Sequence, residues 1–223
     1  MHFKPYFLIL LLLFIGLNSH AEIETQTALT PDMLFQEAIK MGQLDDVKTF
    51  IEGGINVNQL FDDGVTPLHI SVINHQDAIT AMLIQAGADL NATEVTTGAA
   101  PLHLATLYGR EETAKILIKK GANVNALMRF GISPLIVAVQ FAQPQIVKLL
   151  LSNKANINQA DQEGFTALHF AAQNGDVAIA QILLDKGANP SLKDKTNQTT
   201  ALQIATQNNN VELKNLLESY GAR

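Results

Sequence analysis

The stretch Gly64–Asn91, GVTPLHISVINHQDAITAMLIQAGADLN, decides the architecture. Thr66 can cap a helix, because its hydroxyl accepts a bond from a backbone N–H that the first turn leaves unpaired. Pro67 follows at the first helical position, where a missing N–H costs nothing and a fixed φ suits the helix. Leu68 and Val72 then predict a short helix to about Ile73. Ile79, Met82 and Leu83 predict a second, from about Asp77 to Gln85. Gly87 supplies the left-handed residue that stops it.

The pattern recurs down the chain. The leading glycine returns as Gly98, Gly131 and Gly164, with Gln198 in its place in the last copy, at steps of 34, 33, 33 and 34 residues. The closing turn returns as Gly54-Ile55-Asn56, Gly87-Ala88-Asp89, Gly121-Ala122-Asn123, Lys154-Ala155-Asn156, Gly187-Ala188-Asn189 and Gly221-Ala222. A period near 33 with a T-P-L-H opening resembles the ankyrin repeat, over about Thr30 to Arg223. The resemblance implies an all-α solenoid of about six stacked helix-turn-helix units with β-hairpin or turn fingers between them. The repeats fall at about 30–62, 63–96, 97–129, 130–162, 163–196 and 197–223. Both extra residues lie in fingers, Ala92 to Thr97 and Leu192 to Asn197, where stacked helices are not disturbed.

Columns across the repeats assign a task to each position. Two residues after the cap stands a large apolar side chain: Phe35, Leu68, Leu102, Leu135, Leu168 and Leu202. Five after it stands a small one, Ala38, Ser71, Ala105, Ala138, Ala171 and Ala205, which lets neighbouring helices approach closely. Phe50, Leu83, Leu117, Leu150, Leu183 and Leu217 form a second-helix column, and Leu150→Ala is expected to cost roughly 2–5 kcal/mol. The end repeats turn polar at different positions, Asp46 and Thr49 in the first, Lys214 and Glu218 in the last. That is the pattern of an array capped on both outer faces. Repeat 4 is the least regular. It has Ala142 where other first helices end in glycine, histidine or asparagine, Lys154 in place of a turn glycine, and Pro144 early in its second helix. Its turns are expected to be strained or re-angled.

Residues 1–21 read as a secretory signal peptide. His2 and Lys4 precede the apolar run Tyr6–Leu17, and Ser19 and Ala21 place small residues before an expected cleavage after Ala21. The run is 12 residues long, short of the ~20 needed to span a bilayer, so no membrane association is expected after cleavage. Residues 22–29 read as a flexible lead-in to the array at 30–223. The protein is therefore expected to be exported, periplasmic or secreted. The absence of cysteine suits an oxidising compartment and excludes disulfides and thiolate chemistry. A formal net charge of −6 argues against nucleic acid as a partner.

His69, His103 and His169 share a column, which raises metal or catalytic chemistry as a reading. The resemblance implies instead that each histidine bonds the motif threonine and adjoining backbone. Helices 8–10 Å apart also place successive histidines poorly for one ion. His75 is expected to be exposed and unpaired. No motif for catalysis, cofactor or metal binding is found, so none is expected.

What remains is an apolar concave side, since the resemblance implies that partners bind along finger tips and exposed first-helix positions. The candidates are Leu60, Phe61 and Val65; Leu127, Met128, Arg129, Phe130 and Ile132; Phe165; and, on the helices, Ile73, Leu107, Tyr108 and Phe141. Exposed apolar runs mark interaction sites, and arginine is enriched at interface hot spots. The family usually keeps an aspartate three residues before the glycine, as at Asp161, but Phe61, Val95 and Met128 stand there in other repeats. The expectation is a non-catalytic binder of another protein, monomeric on its own. It would act as an immunity or inhibitor protein, or as a scaffold or stress-related helper of an exported partner. A hydrolase with an unrecognised site, and an effector acting on host proteins, are the alternatives.

Overall fold

The computed structural model describes residues 30–222, so the expected signal peptide and the lead-in lie outside the described residues. The described helices come in pairs: α1 (Pro31–Lys40) with α2 (Leu44–Glu52), α3 (Pro67–Ile73) with α4 (Asp77–Gln85), and α5 (Pro101–Leu107) with α6 (Glu111–Lys119). They continue with α7 (Pro134–Gln140) and α8 (Pro144–Ser152), α9 (Ala167–Asn174) and α10 (Val177–Asp185), and α11 (Ala201–Gln207) and α12 (Val211–Ser219). First helices pack on first helices and second on second, in chain order. No described helix is long and apolar enough to cross a membrane.

The columns explain the stacking. The small residues from Ala38 to Ala205 are all buried, so α1, α3, α5, α7, α9 and α11 lie close against one another. Large residues from Phe35 to Leu168 fill the space behind them, as do Leu83, Leu117, Leu150, Leu183 and Leu217 from the second helices. Leu202 and Phe50, at the two ends, are half-buried. Of the polar end positions, Thr49 and Glu218 are exposed where inner repeats have half-buried or buried Met82, Ile116, Ile84 and Leu184, while Asp46 and Lys214 are half-buried. Pro144 opens α8 at a first-turn position, as its chemistry requires.

Three hydrogen-bond series link neighbouring helix pairs or neighbouring fingers along the array. In the first, Nδ1 of His69, His103 and His169 accepts the backbone N–H of Thr66, Ala100 and Thr166 at 3.1–3.2 Å. Nε2 then meets the carbonyls of Ala99, Ile132 and Thr199, one repeat on, at 3.0–3.2 Å. An N–H can only donate and a carbonyl can only accept, so both bonds together fix the neutral tautomer protonated at Nε2. Burial pushes all three imidazoles below their ordinary value, His103 to about 4. Gln203 does part of this work in the last repeat, accepting from Thr200 N–H at 2.8 Å.

The second series is a row of asparagines. Oδ1 of Asn58, Asn91, Asn125 and Asn158 accepts the N–H of Asp89, Asn123, Asn156 and Asn189 in the following repeat, at 2.7–2.9 Å. The third joins the fingers: Val95, Arg129, Gln162 and Lys195 donate their N–H to the carbonyls of Gly64, Thr97, Phe130 and Glu163 at 2.8–3.0 Å.

Each finger closes on itself as a turn, with one isolated antiparallel bridge, Ala160–Thr166, among the described residues. In the 33-residue spacing the closing bond spans four residues, as in Asp161 N–H to Phe165 O at 2.9 Å. In the two long fingers it spans five, Glu94 to Ala99 and Asp194 to Thr199, both at 3.0 Å. The finger carboxylate is therefore displaced there rather than absent. Glu94 accepts from the N–H of Thr96, Thr97 and Ala99 and from the Thr97 hydroxyl. Asp194 does the same for Thr196, Asn197 and Thr199. Burial works to raise the Glu94 carboxyl, but the bonds from Thr97, Thr96 and Ala99 outweigh it and hold it at about 2.

Repeat 4 carries the backbone strain expected of it. Ala142 and Lys154 end their helix turns at φ 50° and 67°, and Phe130 sits at φ 63° in the finger. These are left-handed conformations that cost an L-residue about 1–2 kcal/mol each.

Candidate protein-binding face

The sequence-derived candidates separate into three groups. Leu60, Tyr108, Leu127, Arg129, Phe130 and Phe141 are exposed. Val65, Ile73, Leu107, Met128, Ile132 and Phe165 are half-buried, and Val65, Ile73, Met128 and Phe165 pack against the core. Phe61 does not belong with them. It is 7% exposed, its ring centroid 6.5 Å from that of Phe35, which also meets Phe50 at 5.6 Å. The first finger folds back onto its own repeat and closes an aromatic cluster there. Phe61 is therefore core and not contact surface.

Phe130 is the most exposed of the group at 70%. A short 3-10 turn over Arg129–Gly131 presents it, and the chain is held on both sides. Arg129 N–H donates to Thr97 O and the Phe130 carbonyl accepts from Gln162 N–H, both at 2.8 Å. The Arg129 guanidinium reaches back to Val95 O at 3.0 Å. Neighbouring fingers thus hold a bulky aromatic where its own backbone preference opposes it.

Beside Phe130 lies an open pocket of about 300 Å³ between the fingers and first helices of repeats 4 and 5. Phe130, Ile132, Phe165 and Phe170 line it with apolar surface. Gln140, Gln173, Asp161, Gln162 and Glu163 supply its polar groups. Phe165 is fixed by His169 and Phe170, with ring centroids 5.5 and 5.8 Å away. The pocket unites Phe130, Ile132 and Phe165 from the sequence-derived set. Phe170, Gln140 and Gln173 were missed. Phe170 occupies a column whose counterparts, Ile70, Leu104, Val137 and Ile204, are buried, and nothing in its own sequence context sets it apart.

From repeat 2 onward the first-helix ends are uncharged: Ile73, Asn74, Leu107, Tyr108, Gln140, Phe141, Gln173, Asn174, Gln207 and Asn208; repeat 1 places the exposed Lys40 at that position. His75, expected to be unpaired, is exposed but partnered. Its ring nitrogens lie 3.2 Å from the Arg110 guanidinium and 3.6 Å from the Asp77 carboxylate. A residue of the next repeat, 35 positions away, supplies that partner. Among the described residues, no three His, Asp or Glu side chains are grouped closely enough to hold a metal ion.

A sequence model of ankyrin repeats, three copies per unit, matches residues 7–94, 34–128, 102–194 and 135–223, which together run over most of the chain. The chain belongs to the ankyrin-repeat family. The array is similar to myotrophin of Xenopus tropicalis, 41% identical over 58 residues, which are 26% of this chain and 49% of that protein. It is also similar to the Notch-regulated ankyrin repeat-containing protein of Homo sapiens, 32% identical over 76 residues, 32% of this chain and 67% of that protein. The chain thus spans about half of myotrophin and about two-thirds of the Notch-regulated protein. Ankyrin repeats are protein–protein interaction modules, and the array presents a surface of that kind.

Proposed function

We propose that this ankyrin array captures another protein on its concave side, centred on the fingers and first helices of repeats 4 and 5. Phe130 carries the reading. A large aromatic that is 70% exposed and also held at φ 63° contributes little to stability in return for its conformational cost. Tyr108 and Phe141 extend the surface along the neighbouring helix ends, and Arg129 and Leu127 along the fingers.

The working location is outside the cytoplasm, as the run Tyr6–Leu17 with Ala21 supports, and the chain works without a cofactor as a monomer that meets its partner there. Two roles fit such a surface: occlusion of an exported enzyme or toxin, and support of an exported partner as scaffold or helper. A gene neighbour encoding a lytic enzyme favours the first, and a neighbouring redox-defence enzyme the second.

The test is affinity capture from a periplasmic extract with residues 22–223, with Phe130→Ser as the control. The variant is expected to lose the captured partner while its melting temperature stays within about 2 °C of the parent. Capture that survives Phe130→Ser, alongside a large drop in melting temperature, refutes the proposal.

A further inference from the structure

The pocket beside Phe130 has a chemical character that narrows what enters it. Four apolar side chains, three of them phenyl rings, line one part. Two carboxylates, Asp161 and Glu163, line another, and no Lys or Arg is among the lining residues. Oδ1 of Asp161 is occupied by the N–H groups of Glu163 and Phe165 at 3.0 and 2.8 Å. Glu163 is exposed, and its role in the finger ladder falls to its backbone, whose carbonyl accepts Lys195 N–H. Two basic groups of the neighbouring fingers are turned to backbone carbonyls: Lys195 Nζ to Gln162 O at 3.1 Å and Arg129 to Val95 O.

We propose that this pocket receives an arginine side chain from the partner, an inference that rests on the concave-face reading above. A guanidinium is planar and stacks on phenyl faces, while its alkyl stem suits Ile132 and Phe165. Its N–H groups form a fork that carboxylate and amide oxygens accept, which Glu163, Gln140 and Gln173 offer. A purely apolar side chain would leave these groups facing it without partners. An acidic one would meet two like charges.

The experiment uses residues 22–223 and three capped tripeptides, Ac-Gly-Arg-Gly-NH2, Ac-Gly-Leu-Gly-NH2 and Ac-Gly-Glu-Gly-NH2, titrated against the amide NMR spectrum. The arginine probe is expected to shift amides within residues 130–141 and 161–173, with affinity about tenfold above the other two. Glu163→Gln is expected to remove most of that preference, about fivefold, without moving the melting temperature. Leucine or glutamate binding as well as arginine, shifts elsewhere on the array, an unchanged preference in Glu163→Gln, or no shift by the arginine probe overturns the inference. A Phe130→Ser variant separates the two levels. If it loses its protein partner while arginine holds no advantage, the binding face stands and only the arginine assignment falls.

Discussion

Relieving the strained turns of repeat 4 tests the energetic picture directly. Ala142 and Lys154 occupy turn positions at φ 50° and 67°, and both are exposed. Their counterparts Gly109 and Gly121 adopt φ 64° and 101° as glycine. A left-handed L-residue costs about 1–2 kcal/mol, whereas glycine raises the entropy of the unfolded chain by about 0.5–1 kcal/mol. The difference leaves a gain of about 0.5–1 kcal/mol at each site for Ala142→Gly and Lys154→Gly. Neither side chain is buried, so no packing is lost, and the two gains are expected to add to about 1–2 kcal/mol. In an array of this size that corresponds to a rise of roughly 2–8 °C in melting temperature. Urea unfolding followed by circular dichroism gives the free energy, with an unchanged m value showing that stability changed and the surface exposed on unfolding did not. The reverse change, Gly109→Ala, is the control. It imposes φ 64° on alanine and sets a Cβ 2.9 Å from the Gln143 side-chain amide, so it is expected to lose stability. A double variant whose midpoint is at or below the parent's refutes the strain argument.

Four further outcomes are expected. Stability should fall as pH drops from about 6.5 toward 4, because the unfolded histidines take up protons that buried His69, His103 and His169 refuse; His103 alone accounts for up to about 3 kcal/mol. A second decline follows as pH falls from 4.5 toward 2, where Glu94 loses the charge its amides hold. His103→Gln, which copies the arrangement at Gln203, should flatten the first decline in urea midpoints measured across pH; an unchanged slope counts against it. Gly164→Ala sets a Cβ 2.8 Å from Lys195 N at φ 90° and should cost roughly 2–4 kcal/mol, whereas Gly54→Ala, with open space around it, should cost about 0.5–1 kcal/mol. Equal losses in the two would remove the packing contribution.

The paired helices, buried columns and strained fourth repeat could all be read from the sequence. A 33-residue period makes each copy a control for the others, and a residue such as Ala142 stands out against Gly109 and Gly175. What escaped that reading depends on contacts between copies. Phe61 looks like any apolar finger residue until Phe35 is found beside it. His75 gains Arg110 only when two repeats are stacked. Glu94 and Asp194 were overlooked for a different reason: one added residue moves the carboxylate out of register with Asp161, although the two long fingers agree with each other. Of the residues around the pocket at Phe130, the apolar finger residues Phe130, Ile132 and Phe165 stood among the candidates. Asp161, Gln162 and Glu163 did not, and Phe170, Gln140 and Gln173 come together there only through the packing of α7 against α9.

The asparagine row has a bearing on how such a molecule can change over generations. Asn58, Asn91, Asn125 and Asn158 each offer the same acceptor to whichever unit comes next. A duplicated internal segment would find its mooring already laid on both sides. Length, and with it the reach of the gripping surface, can therefore grow or shrink by whole modules while the rest of the molecule needs no redesign.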